Sequence, residues 1–473
     1  MDFISWPVIF ISSLALVITV RLRTKDRHLC IAVFNVIVGF LLLKLSFLSL
    51  VSLSVLNFFF ARNISRYPAA LRALVLIINL APLALLRFPQ EFTWKSLLLP
   101  LSLCFFSLQQ IGALIDIRRG QSQPPSQFPI WMAFSLFFPS LIAGPIGRWG
   151  EMRSALENPH AFDRQRGYEA VLLIMQGVFK KMVFAVPLYT ITDRYFPQAS
   201  TSGIALLILI AFIFRYAIWA DISAHTDWSR GISTLFGIDQ RPNFDRPFQT
   251  YRVTDFWRRW HMSLSSWLQD YIFLPLALSP LRRILNPTAA VIIAALTAFS
   301  ALGLWHGLHI SLLAMGLYKG GGALLADFLD RRTGRFRPIV GVLCMFLFVI
   351  FPTLLIKMPL LEVRDILLSQ DFLSILRHGD PTFESAWLNL LFEEDGFSST
   401  YRPIFATAVI AIFWEIMQFL GGPLKKGAHP DKAHAEGSFL SAPSRLLLVV
   451  FLFAIWLIYA EFSKHIGFTY VQI

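Results

Sequence analysis

The chain has 473 residues, of which 56% are hydrophobic and only 15% carry a charge. A soluble protein of this length would carry far more charge, so much of the sequence must be buried in lipid. Apolar runs of roughly the 20 residues needed to cross a bilayer recur along the whole chain. We therefore predict an all-α polytopic membrane protein, with residues 1–473 forming a single transmembrane domain.

The net charge of +13 is first of all a signal of membrane topology, because Lys and Arg collect in cytoplasmic loops. Nucleic-acid binding is disfavoured, since the basic clusters are short and separated by apolar spans. The three cysteines, Cys30, Cys104 and Cys344, lie far apart in apolar runs, which indicates neither a disulfide framework nor a metal site. The first twenty residues lack a basic start, so we expect a retained first helix with its N-terminus outside.

Apolar length and basic flanks predict twelve spans, with both chain ends outside. Residues 29–60 are too long for one span, and Lys44 and Ser46 indicate a hairpin of two short helices there. The segment 360–402 is expected to be an extracytoplasmic loop. The predicted spans are 3–20, the two halves of 29–60, 71–87, 97–115, 168–190, 203–220, 287–304, 305–328, 338–357, 403–420 and 443–462.

Two further apolar stretches have basic residues on both sides, so both of their ends favour the cytoplasm. Residues 128–146 lie between Arg118–Arg119 and the motif "GPIGRWGEMR", and "AGP" provides a break in the chain. Residues 262–280 are followed by Arg282 and Arg283 and contain two prolines. Both stretches are predicted to be re-entrant elements that enter the membrane and return.

Two histidines are candidates for chemistry, because an ionisable side chain at membrane depth is costly and often functional. His261 lies at the start of the second re-entrant stretch, in "FWRRWHMSLSSW", and His306 lies at the turn of a predicted hairpin between Gly303 and Gly307. Each could instead be a neutral histidine that ties helices together through a backbone carbonyl. Histidine is also the side chain whose ordinary pKa suits proton transfer near neutral pH.

Other chemistries are less well supported by the sequence. His306 and His309 are three residues apart, but no carboxylate or cysteine cluster accompanies them, so a metal site is disfavoured. Serines follow His261, yet the helical chain offers no strand–serine–helix elbow, and capping or packing is their simpler role. An acceptor hydroxyl would then come from outside the chain, with a histidine as its base.

The segment 241–259 contains five arginines that alternate with aromatic residues, among them Phe244, Phe248 and Trp257. Guanidinium groups bind phosphates and aromatic rings stack on adenine, so this segment could hold a nucleotide-like cofactor. The alternative is that it only anchors the cytoplasmic face of the protein.

At these residues the chain resembles a known family. "NFDRPFQTYRVTDFWRRWHMSLSSWLQDYIFLPL" and "GLWHGLHISLLAMGLYKG" resemble the two signatures of the membrane-bound O-acyltransferases. "LPLSLCFFSLQQIGALIDIRRG" and "FFPSLIAGPIGRW" are similar to the bacterial branch, which includes membrane subunits of alginate and cellulose O-acetylation and the D-alanyl transfer protein of teichoic acids. The resemblance places a catalytic core at 92–328.

The resemblance implies a ring of helices around a central funnel, with the acyl donor entering from the cytoplasm and the acceptor from the opposite side. His306 matches the catalytic histidine of the family and His261 its second histidine. We expect acetyl-CoA, or the phosphopantetheine of an acyl carrier, as donor and no metal. The residues expected to hold the donor are Arg258, Arg259, Trp257, Trp260 and Asn243.

The function implied is transfer of an acyl group, most simply acetyl, across a bacterial inner membrane for O-acetylation of an exported polysaccharide. A periplasmic or membrane-tethered acetyltransferase is the expected partner. D-alanyl transfer to a teichoic-acid-type polymer is the alternative within enzymes. From a different class, a polysaccharide transporter with the histidines as a proton relay, or an export scaffold, remains open, although the sequence has no internal repeat of the kind transporters show.

Overall fold

The computed structural model describes residues 27–87, 102–334 apart from 142, 162 and 203, and 337–369. All regular elements in these ranges are helical, which confirms the all-α class. Six helical stretches of the described part are long and apolar enough to cross a bilayer. They are His28–Arg62, Arg164–Asp193, Leu207–Leu235, Pro287–His306, Ile310–Thr333 and Arg337–Ile356.

These stretches make the chain a multi-pass membrane protein, but they do not establish twelve spans. The predicted spans 3–20, 403–420 and 443–462 lie outside the described residues, as does most of the loop predicted at 360–402. The start of that loop forms a helix, Leu360–Ser369.

The N-terminal part consists of helices broken where the sequence predicts. A 3-10 turn at Lys44–Ser46 interrupts the chain, and Lys44 has a left-handed backbone with φ of 52°. The helices are α1 (Arg27–Leu43), α2 (Phe47–Arg62), α3 (Ala69–Arg87) and α4 (Leu103–Arg118).

Buried amide side chains connect α2, α3 and α4. Asn57 donates to Asn79 at 2.8 Å and to Gln110 at 3.2 Å, and Asn79 donates back to Asn57 at 2.9 Å. Polar groups inside a membrane bundle must find such partners, because lipid offers none. These bonds fix the three helices relative to one another.

The first predicted re-entrant stretch forms two short helices, α5 (Phe128–Ser135) and α6 (Phe138–Leu141). At 1.5 Å per residue neither approaches the thickness of a bilayer. Asn35 of α1 bridges the joint between them: it donates to the carbonyl of Ala133 at 3.0 Å and accepts from the N–H of Phe138 at 3.1 Å. The bend is therefore stabilised from a neighbouring helix, as irregular backbone inside a membrane requires.

The central helices are joined by buried ion pairs. A π-helical turn at Lys180–Ala185 aims two lysines at one neighbour, so that Lys181 pairs with Asp221 at 2.6 Å and Lys180 with Asp227 at 2.5 Å. The helices here are α7 (Trp149–Glu157), α8 (Arg164–Phe179), α9 (Val186–Ser202) and α10 (Ile204–Leu235).

The end of the span predicted at 203–220 was wrong. The helix α10 continues to Leu235, through "DISAHTDWSRG". These polar residues lie beyond the predicted end of the span, but Asp221, His225 and Ser229 are all buried. Their polarity serves contacts inside the protein, such as the ion pair between Asp221 and Lys181, and it does not mark the membrane surface.

The second predicted re-entrant stretch is also a series of short helices, interrupted by a π-helical turn at Gln269–Phe273. It precedes a hairpin of two long helices, which agrees with the predicted spans 287–304 and 305–328. The elements are α11 (Val253–Arg259), α12 (Met262–Leu268), α13 (Leu274–Ala277), α14 (Leu281–Leu285), α15 (Pro287–His306) and α16 (Ile310–Thr333).

The last described span begins at Arg337, as predicted from the basic cluster before it. It starts with α17 (Arg337–Met345) and continues as a π-helical turn, Phe346–Ile350, and a 3-10 segment, Phe351–Ile356. Ile356, at its end, reaches the wall of the cavity described next.

Candidate active site

A cavity with about 450 Å³ of empty space, including its opening, lies between the second re-entrant stretch and the long helices α10, α15 and α16. Both candidate histidines lie on its wall. Its lining residues are Arg215, Ile218, Trp257, Trp260, His261, Leu264, Ser265, Leu268, Leu302, His306, Lys319 and Ile356.

His261 occupies a break between α11 and α12. Its backbone is left-handed, with φ of 42° and ψ of 56°, a conformation that residues other than glycine rarely adopt. Asn243 holds the chain just after it, because its carbonyl accepts from Met262 N–H at 2.8 Å and its side-chain oxygen from Ser263 N–H at 2.9 Å. These two bonds turn the imidazole of His261 into the interior.

Aromatic rings surround the imidazole of His261. Phe105 stacks on it at 6.2 Å between ring centroids, Phe244 lies at 6.0 Å, and Trp305 presents its edge at 6.4 Å. The residue is 3% exposed, and neither ring nitrogen has a hydrogen-bond partner among the described residues. His261 lies outside the six candidate spans, and burial lowers its pKa to about 4. It is therefore neutral at pH 7 and able to accept or donate a hydrogen bond.

His306 is the last residue of α15 and is half-buried. Trp305 packs beside it, with ring centroids 5.1 Å apart, and also lies against His261. The indole N–H of Trp305 donates to the carbonyl of Cys104 at 3.4 Å, which ties the end of α15 to α4. The two histidines thus share one wall of the cavity, on either side of a fixed indole.

The glycines around His306 serve helix packing in addition to any substrate. A Cβ atom on Gly303 would collide with the carbonyl oxygen of Leu312, and one on Gly316 with the carbonyl oxygen of Phe299. The helices α15 and α16 can approach this closely only because both positions lack a side chain.

The residues expected to hold the donor fall into two groups. Trp257 and Trp260 line the cavity, but Arg258, Arg259 and Asn243 are not among its lining residues. The Arg258 side chain is 78% exposed and pairs with Asp255 at 3.3 Å. Arg259 accepts at its carbonyl from Asp245 N–H at 3.0 Å, while Asn243 positions His261.

Two cations on the cavity wall were missed by the sequence analysis. Arg215 of α10 is 3% exposed and Lys319 of α16 is 2% exposed. The guanidinium of Arg215 lies 3.7 Å from the ring centroid of Trp260. The sequence could have indicated both residues, because each is a charged side chain inside a predicted apolar span, and such a residue is a functional candidate by default.

His309 does not contribute to the cavity. Its Nδ1 accepts from Ser311 N–H at 3.2 Å and caps the start of α16. Within the described ranges no three His, Cys, Asp or Glu side chains form a group that could hold a metal ion.

The second predicted re-entrant stretch is held by Arg148, just after the first stretch, and by α4. Arg148 forms an ion pair with Asp270 at 2.8 Å and lies 4.6 Å from the ring centroid of Tyr271. The hydroxyl of Tyr271 donates to Asp116 of α4 at 2.7 Å. The indole of Trp267 also donates to the carbonyl of Leu108 of α4, at 2.8 Å. The elements that carry His261 are therefore fixed on two sides.

The all-helical, multi-pass architecture agrees with the comparison to known sequences. Residues 118–356 match the membrane-bound O-acyltransferase family. Because the match covers half of the chain, the protein belongs to this family of multi-pass membrane acyltransferases.

Several relatives are similar to the chain over its central part. A probable alginate O-acetylase of Pseudomonas putida is 30% identical over 55% of this chain and 53% of its own length. A peptidoglycan O-acetyltransferase of Helicobacter pylori is 30% identical over 57% and 59%. A teichoic acid D-alanyltransferase of Bacillus subtilis is 25% identical over 53% and 67%. The chain thus spans little more than half the length of the first two relatives.

Proposed function

We propose that the protein transfers an acetyl group from a cytoplasmic thioester across the membrane, for O-acetylation of an exported polysaccharide. One observation carries the proposal: His261 and His306, 45 residues apart in sequence, line the same buried cavity. Its walls are mostly apolar, and a water-poor cavity protects a thioester from hydrolysis. Membership of an acyltransferase family supports the reaction class.

His306 is proposed as the general base. It takes the proton of an acceptor hydroxyl as the oxygen attacks the thioester carbonyl carbon. The new carbon–oxygen bond forms, the carbon–sulfur bond breaks, and the proton held by His306 is available to the departing thiolate. His261, held neutral by burial, is proposed to orient the donor or the acceptor through its ring nitrogens.

Donor and acceptor are proposed to reach the cavity from opposite sides. Acetyl-CoA, or the phosphopantetheine of a carrier protein, would enter from the cytoplasm past Trp257 and Trp260, with Arg258 and Arg259 at the mouth. We place the protein in a bacterial inner membrane, with residues 92–328 as the catalytic core and 360–402 as an extracytoplasmic loop. A periplasmic or membrane-tethered acetyltransferase would carry the group onward to the sugar.

The test is His306→Ala in cells that make the acetylated polymer. His309→Ala is the matched control, since it is three residues away and outside the cavity lining. We expect acetyl content of the exported polymer to fall to background in His306→Ala, with protein level and polymer export unchanged, and to persist in the control. Unchanged acetylation would refute the assignment, and loss of export itself would favour a transporter.

D-alanyl transfer is the second candidate, since the chain is also similar to a teichoic acid D-alanyltransferase. Isolated membranes supplied with radiolabelled acetyl-CoA or with a D-alanyl-carrier protein distinguish the two reactions. We expect label from acetyl-CoA to enter polymer in a His306-dependent manner. Label from the D-alanyl carrier alone would establish the second candidate.

A further inference from the structure

Lys319 is a buried basic side chain that has no acidic partner among the described residues. It lies within α16, its exposed fraction is 2%, and it lines the cavity. Within the part of the chain that the structure describes, its ammonium group makes no hydrogen bond or ion pair. Such a group is costly in a membrane protein unless an anion approaches it.

A second cation, Arg215, lines the same cavity, and its charge repels that of Lys319. The face of its guanidinium rests on Trp260, which fixes the group in place. None of the twelve lining residues is Asp or Glu. The wall therefore presents two basic side chains, and no acidic one, to the interior of the cavity.

We propose that Lys319 and Arg215 bind a carboxylate of one of the reactants. This inference rests on the proposed acyl transfer and names a chemical property of its substrates. The carboxylate would lie within the cavity, beside the carbon that is attacked and beside His261 and His306. Ammonium and guanidinium groups bind carboxylates through charge-assisted hydrogen bonds, which are stronger than neutral ones.

The position of Lys319 beside His306 argues against a phosphate of the donor. In coenzyme A or a carrier protein the long pantetheine arm separates the phosphates from the thioester. Lys319 and His306 line the same cavity, so an anion at Lys319 lies only a few bonds from the reacting atoms. Two reactants meet this condition: a dicarboxylic acyl group in place of acetyl, and an acceptor sugar of the uronic acid type that enters the cavity itself and receives the acyl group without a partner protein between.

Binding can be measured without turnover, on the purified full-length protein in detergent and in a carboxylate-free buffer. Monomethyl succinate is the probe for a dicarboxylic acyl group, and glucuronate is the probe for a uronic acid acceptor. Dimethyl succinate and glucose are the neutral counterparts. We expect isothermal titration to show binding of one of the two carboxylates and no binding of its neutral counterpart, and the probe that binds identifies the source.

The variant Lys319→Met should weaken binding of that carboxylate about tenfold or more, since it removes a charge-assisted hydrogen bond. Lys319→Arg keeps the charge and should retain most of the affinity. Arg331→Met is the control: it removes a cation of the same helix whose side chain is 75% exposed. Arg215→Gln provides an independent second variant, and thermal unfolding in detergent verifies the fold of each.

Three results would overturn the inference: no binding of either carboxylate, equal affinity in wild type and Lys319→Met, or binding of inorganic phosphate alone. Failure of the proposed function gives a different pattern. In that case His306→Ala leaves acetylation unchanged, while Lys319→Met still weakens the binding of the carboxylate.

Discussion

At the level of single residues, the site depends on the unusual backbone of His261. A left-handed conformation at a residue other than glycine persists only when its surroundings enforce it. Asn243 does so with two hydrogen bonds to the backbone immediately after the histidine. Asn243 is therefore a positioning residue, and it acts on the reaction through His261.

Asn243→Ala is expected to lower kcat by at least about tenfold, because the imidazole of His261 would move away from the position in which it contacts the reactants. The lost hydrogen bond should destabilise the protein by about 1–3 kcal/mol. Asn243→Asp keeps the acceptor oxygen and should recover part of the rate. The measurement is acetyl transfer by the purified protein, together with thermal unfolding.

Asn286→Ala is the matched control for this prediction. The Asn286 side chain also accepts from a backbone N–H, that of Ala289 at 2.9 Å, but it caps the exposed start of α15. Its loss should cost about 0.5–2 kcal/mol of stability and leave kcat unchanged. If both variants lose activity in proportion to stability, Asn243 has only a structural role.

The sequence led to four of the twelve residues that line the cavity. His261, His306, Trp257 and Trp260 belong to two compact motifs, so a local pattern was enough to find them. Arg215 lies outside both motifs and Lys319 near the end of the second, and each was missed because only tertiary packing brings them together on the cavity wall. The sequence also could not show that Arg258 is exposed and does not line the cavity, since exposed and buried arginines do not differ in sequence.

At the level of secondary structure, the distance between the histidines and the buried cations depends on the hairpin of α15 and α16. Gly303 lies one turn before His306, and Gly316 lies one turn before Lys319. At both positions the facing helix brings a backbone carbonyl into the space of the missing side chain. Close packing of small residues is a main source of helix association in lipid.

Gly316→Ala is expected to force the two helices apart, destabilise the protein by about 1–3 kcal/mol and reduce acetyl transfer. Gly321→Ala is the control on the same helix, since a Cβ atom there has nothing within 4 Å. The control should leave activity unchanged and raise helix stability by up to about 1 kcal/mol. Thermal unfolding in detergent provides the measurement. Equal behaviour of the two variants would exclude the packing argument.

Element types were predicted better than element ends. Basic clusters located the hairpin and the start of α17. The double basic flanks set apart the two stretches predicted to be re-entrant, and the structure forms both from short helices. The end of α10 was wrong by fifteen residues, since it was predicted at 220 and lies at Leu235. Hydropathy measures transfer into lipid, whereas the polar end of α10 faces protein, where ion pairs and hydrogen bonds replace water.

At the level of the whole molecule, acyl transfer across a membrane requires that the cavity be reached from both sides. The hairpin defines the two sides, because α15 and α16 are antiparallel and each is long enough to cross the bilayer. His306 lies next to the turn, while Arg331 and Arg332 lie at the far end of α16. Basic residues remain on the cytoplasmic side, so the turn should face outside.

This orientation predicts the labelling of single cysteines in a variant whose Cys30, Cys104 and Cys344 are replaced by alanine. A cysteine at Leu308, in the turn, should react with a membrane-impermeant maleimide in right-side-out vesicles. A cysteine at Arg331 should react only in inside-out vesicles. Both side chains are exposed enough to react, at 36% and 75%. The reverse pattern would place the arginines outside and contradict a cytoplasmic donor, and labelling of both from one side would show that α16 does not cross the membrane.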